Sequence, residues 1–124
     1  MPTPRGDVLI VDDDPDIRDA VEECLRYEGY DVHSAADGRA ALDTLEFGLK
    51  PDVILLDLMM PVLNGFDVLN ALKTRPEWKS IPVVIVSANR GDEPEDLEGA
   101  VSILRKPMSV DRLLAAVEQA TRAC

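Results

Sequence analysis

Five polar residues stand where short apolar runs stop. Asp12 and Asp13 follow Val8-Leu9-Ile10-Val11, and Asp57 follows Val53-Ile54-Leu55-Leu56. Ser87 follows Val83-Val84-Ile85-Val86, and Lys106 comes just after Val101-Ser102-Ile103-Leu104. Three carboxylates gathered in one place repel one another strongly unless a cation sits among them. Mg²⁺ suits such a trio, because it takes oxygen ligands, needs only one or two protein carboxylates and keeps several waters. A hydroxyl and a compact ammonium beside the trio are donors for phosphate oxygens. An ionised aspartate facing a partly neutralised phosphoryl group is an oxygen nucleophile. The chemistry on offer is phosphoryl transfer.

These residues act together only if the fold brings the ends of the runs together. Each run is short, continuous and rich in β-branched residues, as parallel strands buried on both faces are. The expected strands are Val8–Val11, Asp31–Ala35, Val53–Asp57, Ile81–Val86 and Val101–Leu104, alternating with five helix signals. Asp14-Pro15 reads as an N-cap followed by proline at the first helical position, with Ile17, Val21, Cys24 and Leu25 at helical spacing and Gly29 as the stop. Asp37 caps a second helix through Leu42 and Leu45, closed by Gly48 and Pro51, and a third starts near Asn64 or Gly65 and carries Phe66, Leu69 and Leu72. Ser109 caps a final helix with Val110, Leu113, Leu114 and Val117 on one face. Between Ser87 and Lys106, Gly91, Pro94 and Gly99 leave room for one or two helical turns at most.

Right-handed crossovers and short connections leave few arrangements for such a chain. The expectation is a three-layer (βα)5 flavodoxin-like α/β fold: a doubly wound parallel sheet in strand order 2-1-3-4-5, with a shortened fourth helix. Its topological switch point lies between strands one and three. Those are the strands that end in Asp12-Asp13 and Asp57.

Composition narrows the class further. The chain has 124 residues, expected to form a single domain over 1–124 with its core at about 7–122. Thirteen basic against twenty-four acidic residues give a net charge of −11, which argues against direct nucleic-acid binding through a phosphate-neutralising patch. Cys24, on the expected buried stripe of the first helix, and the terminal Cys124 form no disulfide framework and fit a reducing compartment. Residues 1–6 lack the apolar stretch of a signal peptide, and no segment is long and apolar enough for a membrane span. A cytoplasmic protein with no membrane association is expected.

The segments Val11-Asp12-Asp13, Leu56-Asp57 with Pro61 and Gly65, Ser87-Ala88, and Lys106-Pro107 resemble the receiver domain of two-component response regulators. The likeness runs from about residue 7 to 122, with the motifs in order. It implies that Asp57 accepts a phosphoryl group from a sensor histidine kinase or a histidine phosphotransfer protein. It also implies that Asp13, Asp57 and the Met59 backbone carbonyl ligate Mg²⁺, with Asp12 acting through water. Ser87 and Lys106 would bind the phosphoryl oxygens, and the Lys106-Pro107 bond would be cis. Such a protein is a switch or relay toward a downstream effector that the sequence does not name, and it is not a turnover enzyme.

Two features depart from the family pattern. An aromatic residue usually stands three positions before the lysine, where this chain has Ile103, stiff at χ1 and without a ring to swing. The Ser87–Lys106 stretch is also short, so ordering of the reduced fourth helix is expected to carry the signal instead. These departures keep open a phosphorylation-independent interaction module on the same fold. A haloacid-dehalogenase-type phosphatase would need its nucleophile on strand one, in Asp12-Asp13-Asp14, and an acidic motif after the lysine that this chain lacks. The remaining conspicuous residues have plain structural roles: Asp14 as a helix cap, His33 on the surface of an edge strand, Trp78 packed beside the loop after helix three, and Met59-Met60 as loop and core filling.

Overall fold

The structure is a computed structural model that describes residues 6–57, 65–87, 100–105 and 109–122. In chain order its elements are β1 (Asp7–Val11), α1 (Pro15–Tyr27), β2 (Asp31–Ala35), α2 (Gly38–Glu46) and β3 (Val53–Asp57). They continue with α3 (Gly65–Thr74), α4 (Pro76–Lys79), β4 (Val83–Ser87), β5 (Ala100–Arg105) and α5 (Val110–Arg122). The five strands form one sheet in the order β2-β1-β3-β4-β5, and every neighbouring pair is parallel. The doubly wound arrangement expected from the sequence is the one observed.

Alternation along the strands builds the three layers. Leu9, Val11, Ile54, Leu56, Val83 and Ile85 point to one face, where Ala41 and Leu45 of α2 and Val68, Leu69 and Leu72 of α3 cover them. Val8, Ile10, Val53, Leu55 and Val84 point to the other, beneath Val21 and Leu25 of α1 and Leu113, Ala116, Val117 and Ala120 of α5. Every residue of β3 is buried, as its central position requires. The sheet therefore has little freedom to slip, and its strand ends are held at one rim.

Local signals set the helix boundaries nearest that rim. Asp14 has extended backbone and its Oδ1 accepts from the Asp16 and Ile17 amides at 3.0 and 3.5 Å, while Pro15 takes the first helical position. Gly29, at φ 96°, closes the other end of α1: the Tyr30 amide donates to the Leu25 carbonyl and the Gly29 amide to that of Arg26. Asp37 likewise caps α2, accepting from the Ala40 amide at 2.8 Å. Because Asp14 serves the helix end, Asp14→Ala should cost about 1 kcal/mol in urea unfolding. It should leave acetyl phosphate labelling of the protein unchanged; a loss of labelling would move Asp14 from cap to site.

Several details differ from expectation. Residues 76–79, read as loop, form the helical turn α4, because Pro76 presets the first helical φ and Trp78 is pulled into the core beside α2 and α3. Strand β4 begins at Val83 rather than Ile81, since Pro82 has no amide to give the sheet; its carbonyl instead accepts from the Ile54 amide at 2.9 Å. Val110 is 56% exposed, standing in the first turn of α5 ahead of Leu113, the first α5 residue to reach the sheet core. Cys24 is half-buried, because Val21 and Leu25 centre the buried stripe of α1 and Cys24 flanks it. Burial, with help from the Glu28 carboxylate, pushes the Cys24 thiol above its usual pKa. The segment expected to hold the shortened fourth helix, between Ser87 and Ala100, lies outside the described residues.

Candidate functional site

The site is assembled where β1 and β3 end side by side. Val11 pairs with Leu56 in the last matched rung between them, so Asp12 and Asp57 emerge next to each other. Oxygens of Asp12, Asp13 and Asp57 all lie within 4.8 Å of one another. Asp12 and Asp57 are each only 4% exposed, whereas Asp13 faces solvent. Ile10, Val11, Ile17, Val21, Leu55 and Val86 line a small cavity with Asp12 and Asp57 and give them an apolar floor. Two buried carboxylates near that separation repel by about 3 kcal/mol at an effective dielectric constant of about 20.

The backbone around Asp12 is tied on every side. Its amide donates to the Ala35 carbonyl at 3.2 Å, linking the β1 end to β2. Its Oδ1 accepts from the Asp14 amide at 2.9 Å. Its own carbonyl accepts from Arg18 Nη1 at 2.8 Å. Arg18 has no counterpart in the sequence reading. The available signal was a cation in the first turns of α1, where the helix dipole disfavours positive charge.

The donor set fits a hard divalent cation. All three groups supply oxygen, two are fixed by burial, and the third opens to solvent, where a hydrated ion keeps its waters. Ser87 closes β4 one residue beyond Val86, which pairs with Asp57, and Ser87 itself pairs with Arg105, the last residue of β5. The chain thus places Ser87 on the same rim as Asp57. Lys106 and Met59, with the Lys106-Pro107 bond, lie outside the described residues. Ile103 pairs with Ile85 within β5. His33 is exposed in the middle of the edge strand β2, where it pairs with Leu9 and lies 3.6 Å from Asp7, apart from the trio.

A family model described as the response regulator receiver domain matches residues 8–118. This chain belongs to the response regulator receiver domain family. Among curated relatives of this receiver domain is the DNA-binding dual master transcriptional regulator RpaA of Synechocystis, 39% identical over 119 residues, covering 93% of this chain and 48% of that protein. Response regulator PleD of Caulobacter vibrioides is 43% identical over 119 residues, with 93% of this chain and 26% of that protein covered. The receiver chain therefore spans about half the length of the first relative and about a quarter of the second.

Solved structures agree. The receiver domain of a signal transduction histidine kinase from Syntrophus aciditrophicus superposes with a TM-score of 0.85 at 30% identity, covering 94% of this chain and 90% of that one. Chemotaxis response regulator CheY4 of Vibrio cholerae gives 0.84 at 33% identity, with 95% and 99% covered. The chain is thus a receiver domain of the two-component response regulators. In such systems the partner of the regulator is a histidine kinase, and receiver domains generally bind Mg²⁺. Among the described residues of this receiver no helix is long and apolar enough to cross a membrane.

Proposed function

We propose that Asp57 is the phosphoacceptor of a Mg²⁺-dependent switch or relay, charged by a histidine kinase or a histidine phosphotransfer protein. The observation that carries this reading is the meeting of three carboxylate oxygens within 4.8 Å at the β1 and β3 ends. Asp13, Asp57 and the Met59 carbonyl would hold the cation directly, with Asp12 acting through a water. When bound, the cation supplies neutralisation of charge on the phosphoryl oxygens.

The protein's own groups do the rest. An Asp57 carboxylate oxygen attacks phosphorus as the P–N bond to the donor imidazole breaks, and the imidazole leaves with that electron pair. The product is an acyl phosphate on Asp57. The apolar floor beneath Asp57 keeps water from one side of the carboxylate and strengthens electrostatic contacts around it. Ser87 would donate its hydroxyl to one phosphoryl oxygen and Lys106 its ammonium to another. One oxygen of Asp12 already accepts from the Asp14 amide at 2.9 Å, which draws charge from that carboxylate and lowers its nucleophilicity. That weighs against turnover on strand one, as a phosphatase of the dehalogenase type would require.

We assign the whole stretch to one cytoplasmic receiver domain whose output lies in an effector protein or domain. Incubation with acetyl phosphate and Mg²⁺ should add the mass of one phosphoryl group to the intact protein, carried on the peptide that holds Asp57. A chelator should prevent the addition. Absence of any adduct with Mg²⁺ present would overturn the reading in favour of a phosphorylation-independent interaction module.

A further inference from the structure

Burial fixes two members of the trio, but not the third. Asp12 and Asp57 sit in the apolar floor, whereas Asp13 is exposed and its direction depends on the backbone that carries it. The peptide between Asp12 and Asp13 is therefore the element that decides where the Asp13 carboxylate points. Arg18 holds that peptide, donating from Nη1 to the Asp12 carbonyl at 2.8 Å.

A trans peptide is planar, with its carbonyl and amide on opposite sides. Fixing the Asp12 carbonyl thus fixes the Asp13 amide and the position of the Asp13 Cα from which the side chain leaves. Arg18 is itself anchored, since its amide donates to the Asp14 carbonyl at 3.0 Å in the first turn of α1 and its side chain is half-buried. A cation so near the N-terminus of α1 opposes the helix dipole, so neighbouring groups must compensate for its placement. The acidic trio and Asp14 and Asp16 supply the negative charge that does so.

We propose that Arg18 is a positioning residue for the cation site: by clamping the Asp12 carbonyl it aims the exposed Asp13 carboxylate at Asp57. The inference rests on the phosphoacceptor reading above. Two effects of Arg18 oppose each other there. Its hydrogen bond preorganises the ligands, and its charge repels an incoming cation. The repulsion acts across solvent near the exposed Asp13 and is screened, while a misdirected ligand is lost outright. Preorganisation wins.

The test uses Mg²⁺ itself, titrated against the full chain and followed by amide chemical shifts of residues 12–14 and 57, together with thermal melts. Arg18→Ala should weaken Mg²⁺ binding about tenfold, the lower end of what loss of a group behind a metal ligand costs. It should also reduce the rise in melting temperature that Mg²⁺ produces. Arg18→Met, which keeps the apolar stem without a donor, should behave like Arg18→Ala. Arg18→Lys, which keeps a charged donor, should recover part of the affinity. Unchanged or tighter binding in the Ala and Met variants overturns the proposal, and so does a melting temperature lowered equally with and without Mg²⁺. Failure of the wild-type protein to bind Mg²⁺ would overturn the phosphoacceptor reading as well, so the two failures are distinguishable.

Discussion

Asp57→Asn will abolish phosphoryl labelling by acetyl phosphate and, in the absence of divalent cations, raise the melting temperature. The first half follows from nucleophilicity, since a carboxamide oxygen has no full charge to offer phosphorus. The second follows from repulsion. Asp57 and Asp12 are both 4% exposed, and with Asp13 their oxygens crowd within 4.8 Å. Neutralising one of three like charges should recover about 2 kcal/mol, after allowing for poorer hydrogen bonding by the amide. For a domain of this size that is a rise of about 8 °C. Adding Mg²⁺ should reverse the order: the wild-type protein gains stability by binding the ion, and the variant gains little. Thermal melts with chelator and with saturating Mg²⁺ make the comparison. A lower metal-free melting temperature for the variant would show that the trio is not under mutual repulsion.

The rim was legible because strand burial and strand ends are both written locally. Val53-Ile54-Leu55-Leu56 is apolar at every position, so it had to be covered on both faces, and only a central parallel strand meets that demand. Once β1 and β3 were recognised as such, Asp12 and Asp57 had nowhere to go but the switch point. Asp14-Pro15 and Asp37 declared their helices in the same local way. What escaped was tertiary. Nothing between Pro76 and Lys79 promises a stable helix on its own; the turn forms because Trp78 finds a place in the core. Cys24 and Val110 have apolar side chains at helical spacing, yet one flanks the stripe and the other precedes the sheet. Arg18 was missed for the opposite reason. A single arginine on a helix reads as a solvated charge until its partner, a backbone carbonyl six residues earlier, is seen.

Trp78→Ala should be among the most destabilising single changes in the molecule, at about 3–4 kcal/mol in urea unfolding. Trp78 is 7% exposed and packs in the cluster that includes Leu45 of α2, Val68, Leu69 and Leu72 of α3 and Val83 and Ile85 of β4. Its removal would open a cavity that the proline-bounded turn between Arg75 and Pro82 has little freedom to refill. Arg75 covers the indole face, its guanidinium carbon 4.2 Å from the ring centroid, and reaches Glu77 at 2.9 Å and Glu46 at 3.5 Å. The Glu77 backbone amide and the Arg75 side chain hold the Glu77 carboxyl below its usual pKa, so this contact persists above the ordinary carboxylate range and weakens as pH falls through the lowered value. All of these groups are solvent-facing, and Arg75→Ala should therefore cost no more than about 1 kcal/mol. The buried ring carries the energy and the charges around it contribute little. Because α4 enters β4 at the end of the sheet opposite Asp57, Trp78→Ala should still take up phosphate at a temperature where it remains folded. A cost below about 1 kcal/mol for Trp78→Ala would mean that the turn refolds around the gap and that α4 is a surface ornament, contrary to its burial.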